Sequence, residues 1–228
     1  MGYQLFLFIF ARRKIKTLRR DVKEAGFFAF MNAIEKEGDL LDIGANIGIM
    51  SVHLSRQFSD RHILAIEPMP SNLTVLMRVI KHYQVRNVEV VATAVGDQDG
   101  EEVEMILPLN GKVKMQGLAH VVHESIPGWN KGERFSISSD TIDTIVGDRK
   151  IAGIKMDIEN YEYFALVGAK KVLNRDKPVL YLELWDNENR TNCINLLKNM
   201  DYGVYVNTAE GLEEYDSRKH QTQNFIFK

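Results

Sequence analysis

A chain of 228 residues, 45% of them hydrophobic, can bury one sizeable core, and no shift in composition marks a linker between two. With 29 basic against 31 acidic residues the net charge is −2, so no basic footprint points to a nucleic-acid substrate. The single cysteine, Cys193, excludes an intramolecular disulfide, no Cys/His cluster has zinc spacing, and the chain reads as a protein of a reducing, cytoplasmic compartment.

The apolar run Leu5 to Ala11 is followed at once by Arg12, Arg13 and Lys14. It is too short to span a bilayer. A secretory signal would carry its charges before the apolar run, and Phe6 stands where a myristoylation pattern needs Ser or Thr. Two readings stay open. One is an amphipathic helix docked on its own domain or on a second subunit, as in a homodimer; the other is a peripheral contact of residues 5–14 with the inner face of a membrane. From Ile15 onward, Leu18, Val22, Phe27, Phe30 or Met31, and Ile34 keep helical spacing, with a break expected at Gly26. Residues 1–37 are thus expected to form a helical extension and residues 38–228 the main domain.

The stretch Leu40 to Gly48, LLDIGANIG, has the pattern of a doubly buried strand running through a glycine turn into a helix, Ile47 to Arg56. A second apolar run, His62 to Ile66, ends at Glu67-Pro68 and feeds a helix from Ser71 to Tyr83 and a third strand, Val88 to Ala92. Strand and helix alternating at this spacing predict parallel pairing with right-handed crossovers. Thr93 to Asp97 is expected as a loop at the same sheet edge, and Glu101 to Leu107 as a strand. From Pro108 to Ser139 periodicity is lost, and this stretch, carrying His120, His123 and Trp129, is expected to be an irregular insertion facing the acceptor. Thr141 to Val146 (helix), Gly153 to Ile158 (strand), Tyr161 to Leu173 (helix), Val179 to Leu184 (strand), Glu188 to Met200 (helix), Tyr202 to Val206 and Asn224 to Phe227 (strands) follow. The fold class predicted is α/β: a Rossmann-like, seven-stranded, mostly parallel sheet with helices on both faces, an antiparallel last strand and the N-terminal helical extension.

Ligands of such sheets bind outside the carboxyl ends of the strands, where Asp42, Glu67, Asp157 and Glu183 gather. The third glycine of the dinucleotide fingerprint is missing, which argues against NAD. The order Asp42, Gly44, Gly48, then Glu67 at the second strand tip, resembles the S-adenosylmethionine site of class I methyltransferases. That resemblance implies that Asp42 and Gly44 flank the methionine part, Glu67 accepts from the ribose hydroxyls and the loop with Ala94 and Val95 lies along the adenine, with Asn46, Gly48, Pro68 and Asp157 belonging to the same cofactor site.

Three stretches carry a closer resemblance, to the FkbM family of methyltransferases: Leu40 to Val52, Ala65 to Leu76 with Ala94 to Asp97, and Ile154 to Ala169. The last is similar to the family's K-I-D-V-E-G-x-E pattern, with Glu162 as the final acid and Asn160 in place of the glycine, which puts close approach of a substrate there in question. The resemblance implies methyl transfer from S-adenosylmethionine to a hydroxyl oxygen of a small molecule, sugar or glycolipid. Asp157, Glu159 and His120 are the candidate bases. Direct proton transfer without a metal is favoured, with Mg²⁺ held by Asp157 and Glu183 as the alternative. Two other classes remain: a cofactor-binding protein without turnover, and a membrane-associated interaction protein.

Overall fold

Apolar alternation in short central strands decides how the chain is layered. The structure, a computed structural model, describes residues 2–110, 113–123 and 131–228. The chain enters through helices α1 (Tyr3–Thr17) and α2 (Ala25–Ala33), then runs through β1 (Asp39–Ile43), α3 (Ile49–Gln57), β2 (Ile63–Ile66), α4 (Pro70–Tyr83) and β3 (Val88–Val91). Five strands of a smaller sheet follow among the described residues: β4 (Ala94–Gly96), β5 (Glu101–Asn110), β6 (Val113–Lys114), β7 (His120–Val121) and β8 (Gly132–Thr141). The chain then returns to the main sheet through α5 (Ile142–Val146), β9 (Ile151–Met156), α6 (Glu162–Val167), α7 (Lys170–Asp176), β10 (Val179–Glu183), α8 (Glu188–Lys198), β11 (Val204–Thr208), β12 (Gly211–Glu214) and β13 (Asn224–Phe227).

The main sheet has the order β12-β11-β13-β10-β9-β1-β2-β3. Strands β3, β2, β1, β9 and β10 pair in parallel, and β13 inserts antiparallel between β10 and β11. Because side chains alternate along a strand, Leu41 and Ile43 enter the core beneath α5 to α8, whereas Leu40 enters the one beneath α2 and α3. Helices therefore cover both faces. The second core is rich in aromatics: Phe27 and Phe30 of α2 are fully buried against Tyr181 of β10, each such ring contributing about 1.5–3 kcal/mol.

The architecture is the expected one, with four local departures. An eighth strand, β12, forms a hairpin with β11 across Ala209-Glu210 and opens at Gly211, whose φ is 118°. Gly26 lies inside α2 rather than breaking a helix, and a Cβ there would meet the Tyr181 ring at 3.2 Å; the break falls at residues 18–24, where Val22 is exposed and the Asp21 carboxylate accepts from Lys23 N. The helix expected over Tyr161 to Leu173 is split at Gly168, where a Cβ would stand 2.1 Å from the Gly96 carbonyl, and the Asp143 carboxylate caps the restarted helix α7. Of the 23 described residues in the stretch expected to be irregular, 15 are strand. β8 pairs antiparallel with β5 from Glu101↔Ser139 to Pro108↔Gly132, and it pairs in parallel with Ala94–Gly96, so the expected loop Thr93 to Asp97 is largely strand too. Trp129 lies outside the described residues.

Candidate active site

Three left-handed residues shape the turn after β1: Gly44 (φ 71°), Asn46 (φ 50°) and Gly48 (φ 84°). At Gly44 a Cβ would lie 1.9 Å from the Asp157 carbonyl, so this glycine lets two neighbouring strand ends close on one another. Gly48, the N-cap of α3, is packed against Leu76, which a Cβ would meet at 2.5 Å.

Beyond this turn a cleft encloses about 600 Å³ of empty space, including its open mouth. Gly44, Asn46, Glu67, Pro68, Ala94, Val95, Asp157 and Glu159 all line it, at the carboxyl ends of four strands. One end is apolar, with Met105 and Val121 from β5 and β7, Ala119, and the Tyr161 ring, which stacks on Phe164 at 4.6 Å. Burial pushes the Tyr161 hydroxyl up to about 12. The middle is polar. Glu67 is buried, and its carboxylate accepts from Asn46 N at 2.8 Å, Met69 N at 2.9 Å and Asn72 Nδ2 at 3.1 Å. Burial raises its pKa against the pull of these three bonds. Asn72 lines the cleft as well, and its Oδ1 is buried with no partner.

These groups fit a nucleoside. A carboxylate offers about four acceptor positions, of which three are filled, so Glu67 keeps one and Asn72 Oδ1 supplies another. Two acceptors side by side match the two adjacent hydroxyls of a ribose, and the apolar end beside Tyr161 matches a flat base.

A second cavity, about 710 Å³ with its mouth, lies against the same turn and shares Gly44, Asn46 and Asp157 with the first. Phe10, Lys14 and Glu24 of the N-terminal segment close its other side, with Lys155 at its floor. Lys155 and Asp42 are register neighbours on β9 and β1, so their side chains emerge side by side. Lys155 Nζ stands 3.3 Å from Asp42 Oδ1 and donates to the carbonyl of Gly44 at 3.0 Å; Ser51 Oγ donates to the other Asp42 oxygen at 2.5 Å. Burial opposes the Lys155 charge, but Asp42, Asp157 and Glu183 outweigh it and hold its pKa above the ordinary value.

The structure brings most of the sequence-predicted residues together and separates three. Asp42 has no exposed surface and lines neither cavity; its carboxylate faces Lys155 of β9 and Ser51 of α3. Gly48 is likewise a packing position. His120 pairs opposite Ile106, while the neighbouring pair Met105 and Val121 faces the cleft, so alternation points His120 away, where Nδ1 lies 2.8 Å from the Leu118 carbonyl. Sequence reasoning missed Asn72, Tyr161, Lys155 and Glu24. Two of them had a signal: Lys155 opens the acidic motif, and Tyr161 is the aromatic within it.

The family profile described as "Methyltransferase FkbM domain" matches residues 42–213. The chain belongs to the FkbM methyltransferase family. The cofactor of this family is S-adenosylmethionine, a sulfonium and so a strong methyl donor, and the cleft around Glu67 is where the residues suit it. The methyltransferase resembles in fold the Methyltransferase FkbM of Methylobacillus flagellatus KT, with 22% identity and a TM-score of 0.55 over 84% of this chain and 44% of that one. It thus spans less than half the length of that protein. It also resembles an rRNA methylase from Streptococcus thermophilus (9% identity, TM-score 0.51, 90% and 92% covered) and a SAM-dependent O-methyltransferase from Thermotoga maritima (13% identity, TM-score 0.50, 94% and 68% covered). No curated protein matches the chain in sequence.

The acidic motif of this FkbM chain keeps its turn although Asn160 replaces the glycine. Asn160 is buried in the left-handed region with φ of 74°, and Glu159 precedes it at φ of 56°. Asn187 Nδ2 donates to Asn160 Oδ1 at 2.8 Å, and Asn189 Nδ2 to its carbonyl at 2.9 Å, so the start of α8 holds the turn. Glu162, the motif's final acid, accepts from Ile158 N at 3.0 Å and is buried. Burial pushes its pKa up to about 8 from 4.5. A proton must therefore be taken up on folding at neutral pH, and the wild type is expected to lose stability as pH rises from about 5 to 8, by up to about 1.4 kcal/mol per unit from this group. Glu162→Gln keeps the acceptor and removes the titration. Its stability relative to wild type should therefore grow across that window, and urea unfolding at pH 5.5 and 7.5 giving the same difference would refute this.

Proposed function

We propose that the methyl acceptor is a hydroxyl oxygen of a small molecule, sugar or glycolipid, lodged at the junction of the two cavities. The observation that supports this reading is Asp157, which lines both cavities amid Glu159, Glu183, Glu24 and Lys155. A hydroxyl must lose its proton as its oxygen takes the methyl group, and a carboxylate whose affinity for that proton is raised serves this purpose. Burial and then the Asp157 charge push Glu183 up to about 7, and the same two causes push Glu159 up to about 9. Asp157 contacts the acceptor and takes its proton; Glu183 shares that proton; Glu159, protonated at neutral pH, donates a hydrogen bond. Holding the oxygen in line with the methyl-sulfur bond supplies much of the remaining rate.

Proton transfer in this scheme is direct. Turnover should rise with pH to a plateau with a midpoint near 7, because below it Glu183 is protonated and has no capacity for the acceptor's proton. Asp157→Asn should lower turnover by about 10²–10⁴-fold with the cofactor held saturating. The test is to incubate the enzyme with methyl-labelled cofactor and fractionated glycans, glycolipids and metabolites, with and without EDTA. Label stable to mild base but released as methyl iodide by hydriodic acid marks a methyl ether and supports the hydroxyl reading. Base-labile label, a pH-independent rate, or restoration by Mg²⁺ after EDTA each count against it.

A further inference from the structure

Helix α1 carries two apolar faces, and the domain uses one of them. Leu7, Phe8, Ala11 and Ile15 are buried in one cluster with Val52 of α3 and Val75 and Val79 of α4. On the opposite side Tyr3, Phe6 and Phe10 recur at spacings of three and four, with Ile9 beside them, and are 42%, 56%, 42% and 45% exposed. Large aromatics seldom line up in water on a helix that has already buried its own stripe. Directly after this face the chain is basic. Residues 12–23 hold seven Lys or Arg and one acid, Asp21, a net charge of +6 in a chain whose total is −2. Arg13 and Lys16, on the exposed side of α1, continue the aromatic stripe, and Arg19, Arg20 and Lys23 are exposed beyond it.

We propose that this face of α1 docks on an anionic lipid surface, the aromatics entering the headgroup boundary and the basic collar meeting the lipid phosphates. Interfacial helices combine an apolar face, flanking Lys and Arg and a length that does not cross the bilayer, and among the described residues no helix is long and apolar enough to cross one. Basic residues near an anionic surface strengthen binding about five-fold each. Phe10 belongs both to this stripe and to the wall of the cavity that holds Asp157. If the acceptor reading above is right, the acceptor class this geometry favours is a glycolipid whose head group reaches Asp157 from the bilayer.

Vesicle sedimentation tests the docking without reference to turnover. The full chain should pellet with phosphatidylcholine vesicles containing phosphatidylglycerol, pellet far less with phosphatidylcholine alone, and be released by 0.5 M salt, roughly the screening expected for exposed charges. Arg13→Glu with Lys16→Glu should weaken partitioning at least about 25-fold, and Phe6→Ser with Ile9→Ser should abolish it, with circular dichroism unchanged because all four side chains are exposed. Failure to pellet with the anionic vesicles, equal pelleting of the variants, or conversion of a dimer to a monomer by Phe6→Ser with Ile9→Ser would each overturn the proposal; the last would assign the face to a second copy. Docking without methylation of any glycolipid would leave the lipid surface in place and remove only the acceptor reading.

Discussion

Glu67→Gln is expected to weaken binding of both S-adenosylmethionine and its demethylated product by roughly 10- to 160-fold, the equivalent of about 1.5–3 kcal/mol for a charge-assisted hydrogen bond. Both ligands carry the same ribose, so both should lose the same factor. The substitution preserves shape and changes donors. Oε2 faces Asn46 N and Oε1 faces Met69 N and Asn72 Nδ2, so an amide nitrogen in either position meets a donor. The Asn46 turn is held from Glu67, and the variant therefore also loosens the wall against which the methionine part would lie. Glu67→Ala removes all three acceptor bonds and should cost stability as well, which makes the glutamine variant the cleaner probe. Calorimetry with both ligands on a variant shown to be folded decides the matter: equal affinity in wild type and variant removes Glu67 from the ribose, and a loss confined to one ligand points to a different contact.

How much could be read from the chain varies with how local the cause is. The turn after β1 was readable because Gly44 and Gly48 follow a run of buried apolar residues, and the strand tips because each acid closes such a run. Strand β8 was not, although Phe135 and Ile137 alternate with polar residues, because Gly132 and the preceding proline and glycines mask the pattern; Gly132 is there because a side chain would strike the Leu107 carbonyl at 2.0 Å. Hairpin β11-β12 turns at Ala209-Glu210, which lacks the Asn-Gly or Asp-Gly signal of a tight hairpin. Asp42 shows the deeper limit. A carboxylate two residues before the glycine turn looks like a ligand contact in one dimension. What it touches depends on register with a strand more than a hundred residues later, and that register places Lys155 beside it. Asn72 has the same character, since only the fold puts an ordinary helix residue against Glu67.

That register carries the largest expected loss of stability. Lys155→Met should destabilise the protein by about 3–5 kcal/mol, because it strands the Asp42 carboxylate, with no exposed surface, beside a single hydroxyl donor from Ser51. For a chain of this size the melting temperature should fall by roughly 6–20 °C. Asp42→Leu leaves the opposite defect, a buried ammonium with only the Ile43 and Gly44 carbonyls, and should cost a similar amount. The double variant separates pairing from packing. Two apolar side chains of similar size at adjacent positions of a buried sheet satisfy each other, so the pair of changes should cost less than their sum by at least about 1 kcal/mol. Recovery of stability should not bring recovery of function. Lys155 also donates to the Gly44 carbonyl, so the double variant, folded again, should still bind the cofactor weakly because the turn has lost that tether. Single losses below about 1 kcal/mol, or losses that add without coupling, would show that the ion pair does not hold β1 to β9; full cofactor affinity in the double variant would show that the Gly44 turn stands without it.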